Sequence, residues 1–75
     1  QDKDYVIIHI QNQAKNGDIV AALIDDEVTL KYFYRSRNQV RLESANPKYP
    51  PMIFKKGDTR SFRILGIMAG LVRRK

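Results

Sequence analysis

The sequence predicts an all-β domain, a curled and partly closed barrel of about six or seven short strands. Its apolar residues occur in short runs rich in β-branched and aromatic side chains, and turn residues separate these runs. The connections are short, and no segment shows a convincing helical period. With 75 residues the chain forms a single small domain, near the size at which one core barely offsets the entropy of the chain.

The first half of the chain predicts three strands. Tyr5 to Ile10 (YVIIHI) is dense in β-branched residues, and the tight-turn pair Asn16-Gly17 closes the loop that follows it. The strands Ile19 to Ile24 and Val28 to Tyr34 then form an antiparallel hairpin around the acidic turn Asp25-Asp26-Glu27. This hairpin is the part of the chain around which the rest is organised.

Two shorter strands follow. Gln39 to Glu43 (QVRLE) alternates polar and apolar residues, as a half-exposed strand does, and it is expected to pair with the strand before it. Ser44 to Pro51 (SANPKYPP) holds all three prolines and is predicted to be a rigid extended loop. This loop leads into the short strand Met52 to Phe54.

The longest apolar stretch, Ser61 to Arg73, is the one ambiguous segment, since its length would also allow a helix. Gly66 and Gly70 favour a bulged or bent strand that changes partners along its length. A long apolar strand with an unpaired edge tends to associate with another strand. We therefore expect a homodimer formed through Ser61 to Val72.

Composition excludes several classes of protein. No apolar run approaches the roughly 20 residues that span a bilayer, and no signal-peptide pattern opens the chain, so a cytoplasmic protein is expected. Without cysteine there is no disulfide framework, and a single histidine makes a catalytic metal improbable. The acidic turn is interpreted as solvated, because consecutive acids in a hairpin turn diverge. No metal or cofactor is expected.

The net charge of +6 is compatible with binding to polyanions. The basic residues, however, cluster at turns and at the end of the chain, where solvated surface is the simpler interpretation. These clusters are Arg35, Arg37 and Arg41, then Lys55, Lys56 and Arg60, and finally Arg73, Arg74 and Lys75.

Lys31 lies in the middle of the second hairpin strand. Alternation places it on one face with Thr29, Phe33 and Arg35. A lysine in a strand usually lies on a solvated face with its stem over apolar neighbours. Alternatively, burial disfavours the charged ammonium and leaves a neutral amine that can act as a general base. Periodicity alone leaves both interpretations open.

Several separated motifs resemble the C-terminal domain of the LexA and UmuD family of self-cleaving repressors, in the order and spacing of that family. The resemblance runs from about Asp4 to the end of the chain. It is carried by NGDIVAA (16–22), DDEVTLK (25–31), Val40-Arg41-Leu42, Asn46-Pro47, Ile64-Leu65-Gly66, Ala69-Gly70 and Val72-Arg73-Arg74.

The resemblance implies the fold of the LexA catalytic domain and a catalytic role for Lys31. In that family a lysine at this strand position activates a serine, so Lys31 is expected to be the general base of a Ser-Lys dyad. The family's serine would fall before Gln1, and the 75-residue chain alone is therefore expected to be inactive. The parent protein would carry an N-terminal helix-turn-helix domain that binds operator DNA. Activated RecA filament would stimulate it to cut its own interdomain linker in the response to DNA damage.

Two other functions remain open from the sequence. One is a dimerisation module, like a phage repressor that does not cleave itself. The other is a β-barrel that binds single-stranded nucleic acid. In that case Tyr32, Phe33 and Tyr34 would stack on bases, and Arg35, Arg37 and Arg41 would contact phosphates.

Overall fold

The computed structural model describes the backbone of residues 4–73 and the side chains of residues 5–70. Six antiparallel strands form one sheet in the order β1-β6-β2-β3-β4-β5. They are β1 (Asp4–Ile10), β2 (Ile19–Ile24), β3 (Glu27–Arg35), β4 (Gln39–Glu43), β5 (Met52–Lys55) and β6 (Phe62–Arg73). The predicted all-β class is confirmed. No helix in the described range has the length and hydropathy to cross a membrane.

The β2–β3 hairpin closes through a two-residue turn. Ile24 pairs with Glu27, and the residues between them, Asp25 and Asp26, have φ angles of 50° and 67°. Positive φ at both central positions is the type I′ geometry, whose twist matches that of the flanking strands. Aspartate tolerates this conformation better than most residues because its short polar side chain can bond locally. The turn therefore contains two residues, Asp25 and Asp26, whereas the prediction included Glu27 as a third.

Strand β6 is bulged twice and changes partners, as predicted. It pairs with β2 over residues 62–67 and with β1 over residues 66–73. The register skips Leu65 opposite β2 and Ala69 opposite β1, and a glycine follows each bulged residue. Each bulge bends the strand, so β6 can contribute to two differently oriented parts of the sheet.

The position of β6 corrects the argument for a dimer. That argument took Ser61 to Val72 as a strand with an unpaired edge, but each half of β6 has a partner strand on one side, β2 for residues 62–67 and β1 for residues 66–73. Within the described range, residues 62–65 have no partner strand on the side of β1, and residues 68–73 have none on the side of β2. Pairing of two copies along β6 would therefore use one of these two open halves and not the whole strand.

The core lies on one face of the curled sheet. Val20, Ala22, Ile24, Phe33, Leu42 and Phe54 are buried there, and half-buried apolar residues pack against them. Phe54 of β5 contacts Phe62 of β6, with ring centroids 4.8 Å apart. Because β5 is an edge strand and three strands lie between it and β6, this contact requires the sheet to curl around its apolar face. The sheet is not closed into a complete barrel.

Candidate functional site

Lys31 lies on the core side of the sheet, in the middle of β3. It pairs with Val20 of β2, which is fully buried, and Phe33, two residues further along the same face, is 1% exposed. Lys31 itself is half-buried. The opposite face of β3 is the more exposed one, with Val28 57% and Leu30 44% exposed. The lysine stem therefore starts from the apolar interior and not from the outer face of the sheet.

The Lys31 side chain lines a small cleft with a volume of about 170 Å³. The cleft lies at the end of the hairpin that carries the acidic turn, and both the edge strand β5 and the β5–β6 connection contribute to its wall. Its lining residues are Ile24, Asp25, Glu27, Thr29, Lys31, Met52 and Arg60. Ile24 and Met52 contribute apolar side chains to this lining, and the lysine is partly shielded from solvent.

Thr29 is the second polar group in this cleft. Its Oγ1 is buried and has no hydrogen-bond partner among the described residues. Thr29 precedes Lys31 by two positions on the same face, which places their Cα atoms about 7 Å apart. A buried hydroxyl without a partner costs free energy, and such exceptions in folded proteins need an explanation. The sequence did not identify Thr29 as a residue of the site. The one feature that could have done so is its position two residues before Lys31, on the same face of the strand.

No ion pair or hydrogen bond of the Lys31 amine occurs within residues 5–70. The other cation that lines the cleft, Arg60, donates a hydrogen bond from its guanidinium to Asp25 at 2.6 Å, and this pair is exposed. Asp25 is therefore engaged with Arg60. Glu27 is exposed at the start of β3. The amine of Lys31 remains available to a further group that enters the cleft.

None of the three serines lines this cleft. Ser36 lies in the β3–β4 turn, where its N–H donates to the Gln39 carbonyl at 3.0 Å. Ser44 follows β4 and is half-buried, and Ser61 is exposed just before β6. A nucleophile that precedes Gln1 stays a prediction. Residues 1–3, at which the resemblance begins to loosen, and the basic residues Arg74 and Lys75 lie outside the described residues.

The aromatic platform of the nucleic-acid hypothesis does not form. Phe33 is buried in the core, whereas Tyr32 and Tyr34 lie on the opposite face of β3. Arg41 forms an ion pair with Glu43, and its guanidinium lies 4.8 Å from the centre of the Tyr34 ring. The three aromatic residues therefore cannot stack on bases together, because alternation along a strand sends them to different faces.

The acidic turn does not form a metal site with other residues. Within the described part of the chain, no group of three histidine, cysteine, aspartate or glutamate side chains is arranged to hold a metal ion. Asp25 is occupied by Arg60, and Asp26 is exposed.

The chain is similar to known proteins over nearly all of its length. A family model described as Peptidase S24-like matches residues 1–69. A LexA repressor of Desulfatibacillum aliphaticivorans is 49% identical over 74 residues, which are 99% of this chain and 36% of that protein. LexA repressors of Leptospira interrogans and Acetivibrio thermocellus are 46% and 44% identical, over 96% and 97% of this chain and 33% and 32% of their own lengths. The chain thus spans about a third of the length of these relatives.

Proposed function

Since the chain belongs to the Peptidase S24-like family, we propose that it is the C-terminal domain of a LexA-like repressor that cleaves its own chain. The observation that carries this proposal is the position of Lys31. It is half-buried on the core side of β3, free of ion pairs in the described range, and next to the unpartnered hydroxyl of Thr29. A surface lysine would have neither the shielding nor the shared cleft.

In the proposed reaction, Lys31 is the general base. Its neutral amine takes the proton of a serine hydroxyl supplied by the part of the longer protein that precedes Gln1, and the serine oxygen attacks the scissile carbonyl. When the tetrahedral intermediate collapses, the peptide C–N bond breaks and the Lys31 ammonium gives its proton to the leaving amine. Water then hydrolyses the resulting ester, with Lys31 again taking a proton.

In the proposed parent protein, self-cleavage would inactivate a transcriptional repressor. It would bind operator DNA through a separate N-terminal helix-turn-helix domain and act in the cytoplasm. RecA filament would stimulate cleavage of its interdomain linker, which would end repression after DNA damage. The names of the relatives, all LexA repressors, support this assignment.

We also propose that the repressor dimerises through this domain. Residues 68–73 of β6 have one side without a partner strand in the described range, and such a side can pair with the same segment of a second copy about a two-fold axis. Two-fold symmetry would then present two DNA-binding domains to a palindromic operator.

The test of the peptidase assignment is a pH series of spontaneous self-cleavage in a chain extended upstream to include the serine and the linker. Because only a neutral amine accepts a proton, cleavage by the wild type should accelerate as pH rises. Lys31→Met keeps the stem and removes the amine, and it should slow cleavage by about 10² to 10⁴. Lys31→Arg should be equally slow, because guanidinium stays charged at any usable pH.

Lys15→Met is the matched control, since Lys15 is exposed in the loop before β2 and lies outside the cleft. It should cleave at the wild-type rate. Circular dichroism would establish that all variants are folded. If folded Lys31→Met cuts itself as fast as the wild type, Lys31 is not the base and the assignment fails.

A further inference from the structure

A second concave region lies outside the Lys31 cleft, between two turns of the sheet. The β3–β4 turn (residues 36–38) and the β5–β6 connection (residues 56–61) enclose an open space of about 390 Å³. We call this region the basic groove. Five cationic side chains line it together with a single carboxylate, that of Asp58; the cations are Arg35, Arg37, Lys55, Lys56 and Arg60.

Most of these cations have no charged partner. Arg60 is paired with Asp25 at 2.6 Å. The Asp58 carboxylate accepts the backbone N–H of Lys55 at 2.7 Å, so it stabilises its own turn. No ion pair of the other four cations occurs among the described side chains. The groove therefore gathers four uncompensated positive charges.

This distribution differs from that of an ordinary protein surface, on which charges of both signs are interspersed. The longest run of acids, Asp25 to Glu27, lies in another turn, and only Asp25 reaches a cation of the groove. Like charges held in one concavity repel each other, and their field attracts counter-ions. A bound anion would remove this repulsion.

We propose that the basic groove binds the phosphate groups of a nucleic-acid strand. Besides the cations, it is lined by the hydroxyls of Ser36 and Ser61 and the amide of Asn38, which are residue types that donate hydrogen bonds to phosphate oxygens. A phosphodiester backbone offers acceptor oxygens along its length and matches this set of donors. An acidic peptide is the competing occupant, and polyglutamate represents it in the experiment.

The contact does not read base sequence. Phe54 lies at the floor of the groove but is 7% exposed, so it offers no free ring face for stacking. Binding is therefore electrostatic and strongly dependent on salt. It is separate from peptidase chemistry, because Lys31 does not line the groove and the four free cations do not line the Lys31 cleft.

The experiment is a salt series of fluorescence anisotropy with a labelled oligothymidylate and the 75-residue chain, with circular dichroism to show that each sample is folded. Four phosphate contacts predict a slope of log K against log salt of about −3, since each contact on a single strand contributes about −0.7. The charge reversals Arg37→Glu and Lys56→Glu should each weaken binding by at least about fivefold near 0.1 M salt and make the slope shallower.

Lys48→Glu is the matched control. It makes the same change in net charge, but Lys48 is exposed in the loop between β4 and β5 and does not line the groove. It should leave the affinity closer to that of the wild type than either groove variant. If Lys48→Glu weakens binding as much as Lys56→Glu, the attraction belongs to the whole molecule and the groove is not a site. Unlabelled polyglutamate and unlabelled oligothymidylate can also be compared as competitors of the labelled strand. If the two compete equally well, the groove does not recognise phosphate and this part of the proposal fails.

Discussion

At the scale of single residues, the unpartnered hydroxyl of Thr29 allows a test that separates an effect on the position of the Lys31 amine from an effect on folding. We propose that, once the segment with the serine lies in the cleft, Thr29 Oγ1 accepts an N–H of the Lys31 amine and so directs the amine lone pair towards the serine. Thr29→Val removes the hydroxyl and keeps the shape of the side chain. The free energy of unfolding of the 75-residue chain should stay the same or rise by up to about 1 kcal/mol, because the substitution removes a buried polar group that has no partner there.

In the upstream-extended chain, the same substitution should slow self-cleavage by about 10- to 100-fold through loss of orientation. Thr29→Ser restores the hydroxyl and should recover most of the rate. The measurements are denaturant unfolding and the rate of self-cleavage across pH for the three proteins. A purely structural threonine would instead lose stability and activity together in Thr29→Val, and serine would not restore the rate selectively.

The sequence predicted which residues share a face with Lys31 but not which face is buried. Both faces of β3 carry large apolar residues, with Val28 and Leu30 on one and Phe33 on the other. The alternation of residues along the strand therefore does not show which face is buried. The answer depends on cross-strand partners. Val20 and Leu42 are buried on the side of Phe33, and pairing with them makes that face the inner one.

At the scale of elements, the two glycines of β6 have different structural roles. A Cβ on Gly66 would lie 2.7 Å from the carbonyl oxygen of His9 in β1, closer than real Cβ atoms approach backbone. A Cβ on Gly70 would meet only the Ile7 Cδ1 atom at an ordinary 3.6 Å. Gly66 thus permits the close approach of β1, whereas Gly70 follows a bulge without being crowded.

This difference predicts opposite outcomes for two identical substitutions. Gly66→Ala should lower the free energy of unfolding by about 1 to 3 kcal/mol, because β1 must shift to admit the methyl group. Gly70→Ala should be near neutral or slightly stabilising, since alanine restricts the unfolded chain. Urea unfolding of both variants and the wild type measures the difference. Equal effects of the two substitutions would contradict the close contact at Gly66.

Glycine spacing and apolar length predicted a bulged β6, but they did not predict its place in the sheet. Local patterns such as the two-residue turn at Asp25-Asp26 determine which strands are neighbours in hairpins. The insertion of β6 between β1 and β2 joins residues that are at least 38 positions apart in sequence, the separation of Ile24 and Phe62. No local pattern specifies such a long-range pairing, so the sequence did not predict that Gly66 and Ile67 have partner strands on both sides.

At the scale of the whole molecule, strand pairing and curvature bring turns together that are distant in sequence. The contact between Phe54 and Phe62 folds the edge strand β5 over the core. Gln39 of β4 pairs with Lys55 of β5, and the Lys56 N–H donates to the Asn38 carbonyl at 3.3 Å, so the β5–β6 connection lies beside the β3–β4 turn. The same connection carries Arg60, which lines both the basic groove and the Lys31 cleft. The sequence showed the basic clusters separately. Their convergence depends on the pairing of β4 with β5, which composition does not encode.

The proposed dimer is also a property of the whole molecule, and it depends on the open side of residues 68–73 in β6. Ala69 is the bulged residue of this segment, and its side chain is exposed. Ala69→Lys would place a charge on the open side, and a two-fold axis would bring two such charges near each other. Strand edges in natural proteins are protected from pairing by charges of this kind. The variant should therefore be a monomer under conditions in which the wild type is a dimer.

Sedimentation equilibrium at tens of micromolar protein measures this, with Ala45→Lys as the control. Ala45 is likewise an exposed alanine, but it lies in the loop between β4 and β5, away from β6, so its substitution adds the same charge without touching the proposed edge. It should remain a dimer. A wild-type chain that sediments as a monomer contradicts dimerisation through this domain. A dimer that survives Ala69→Lys unchanged would place the interface elsewhere, for example on the outer face of β3, where Val28 and Leu30 are exposed.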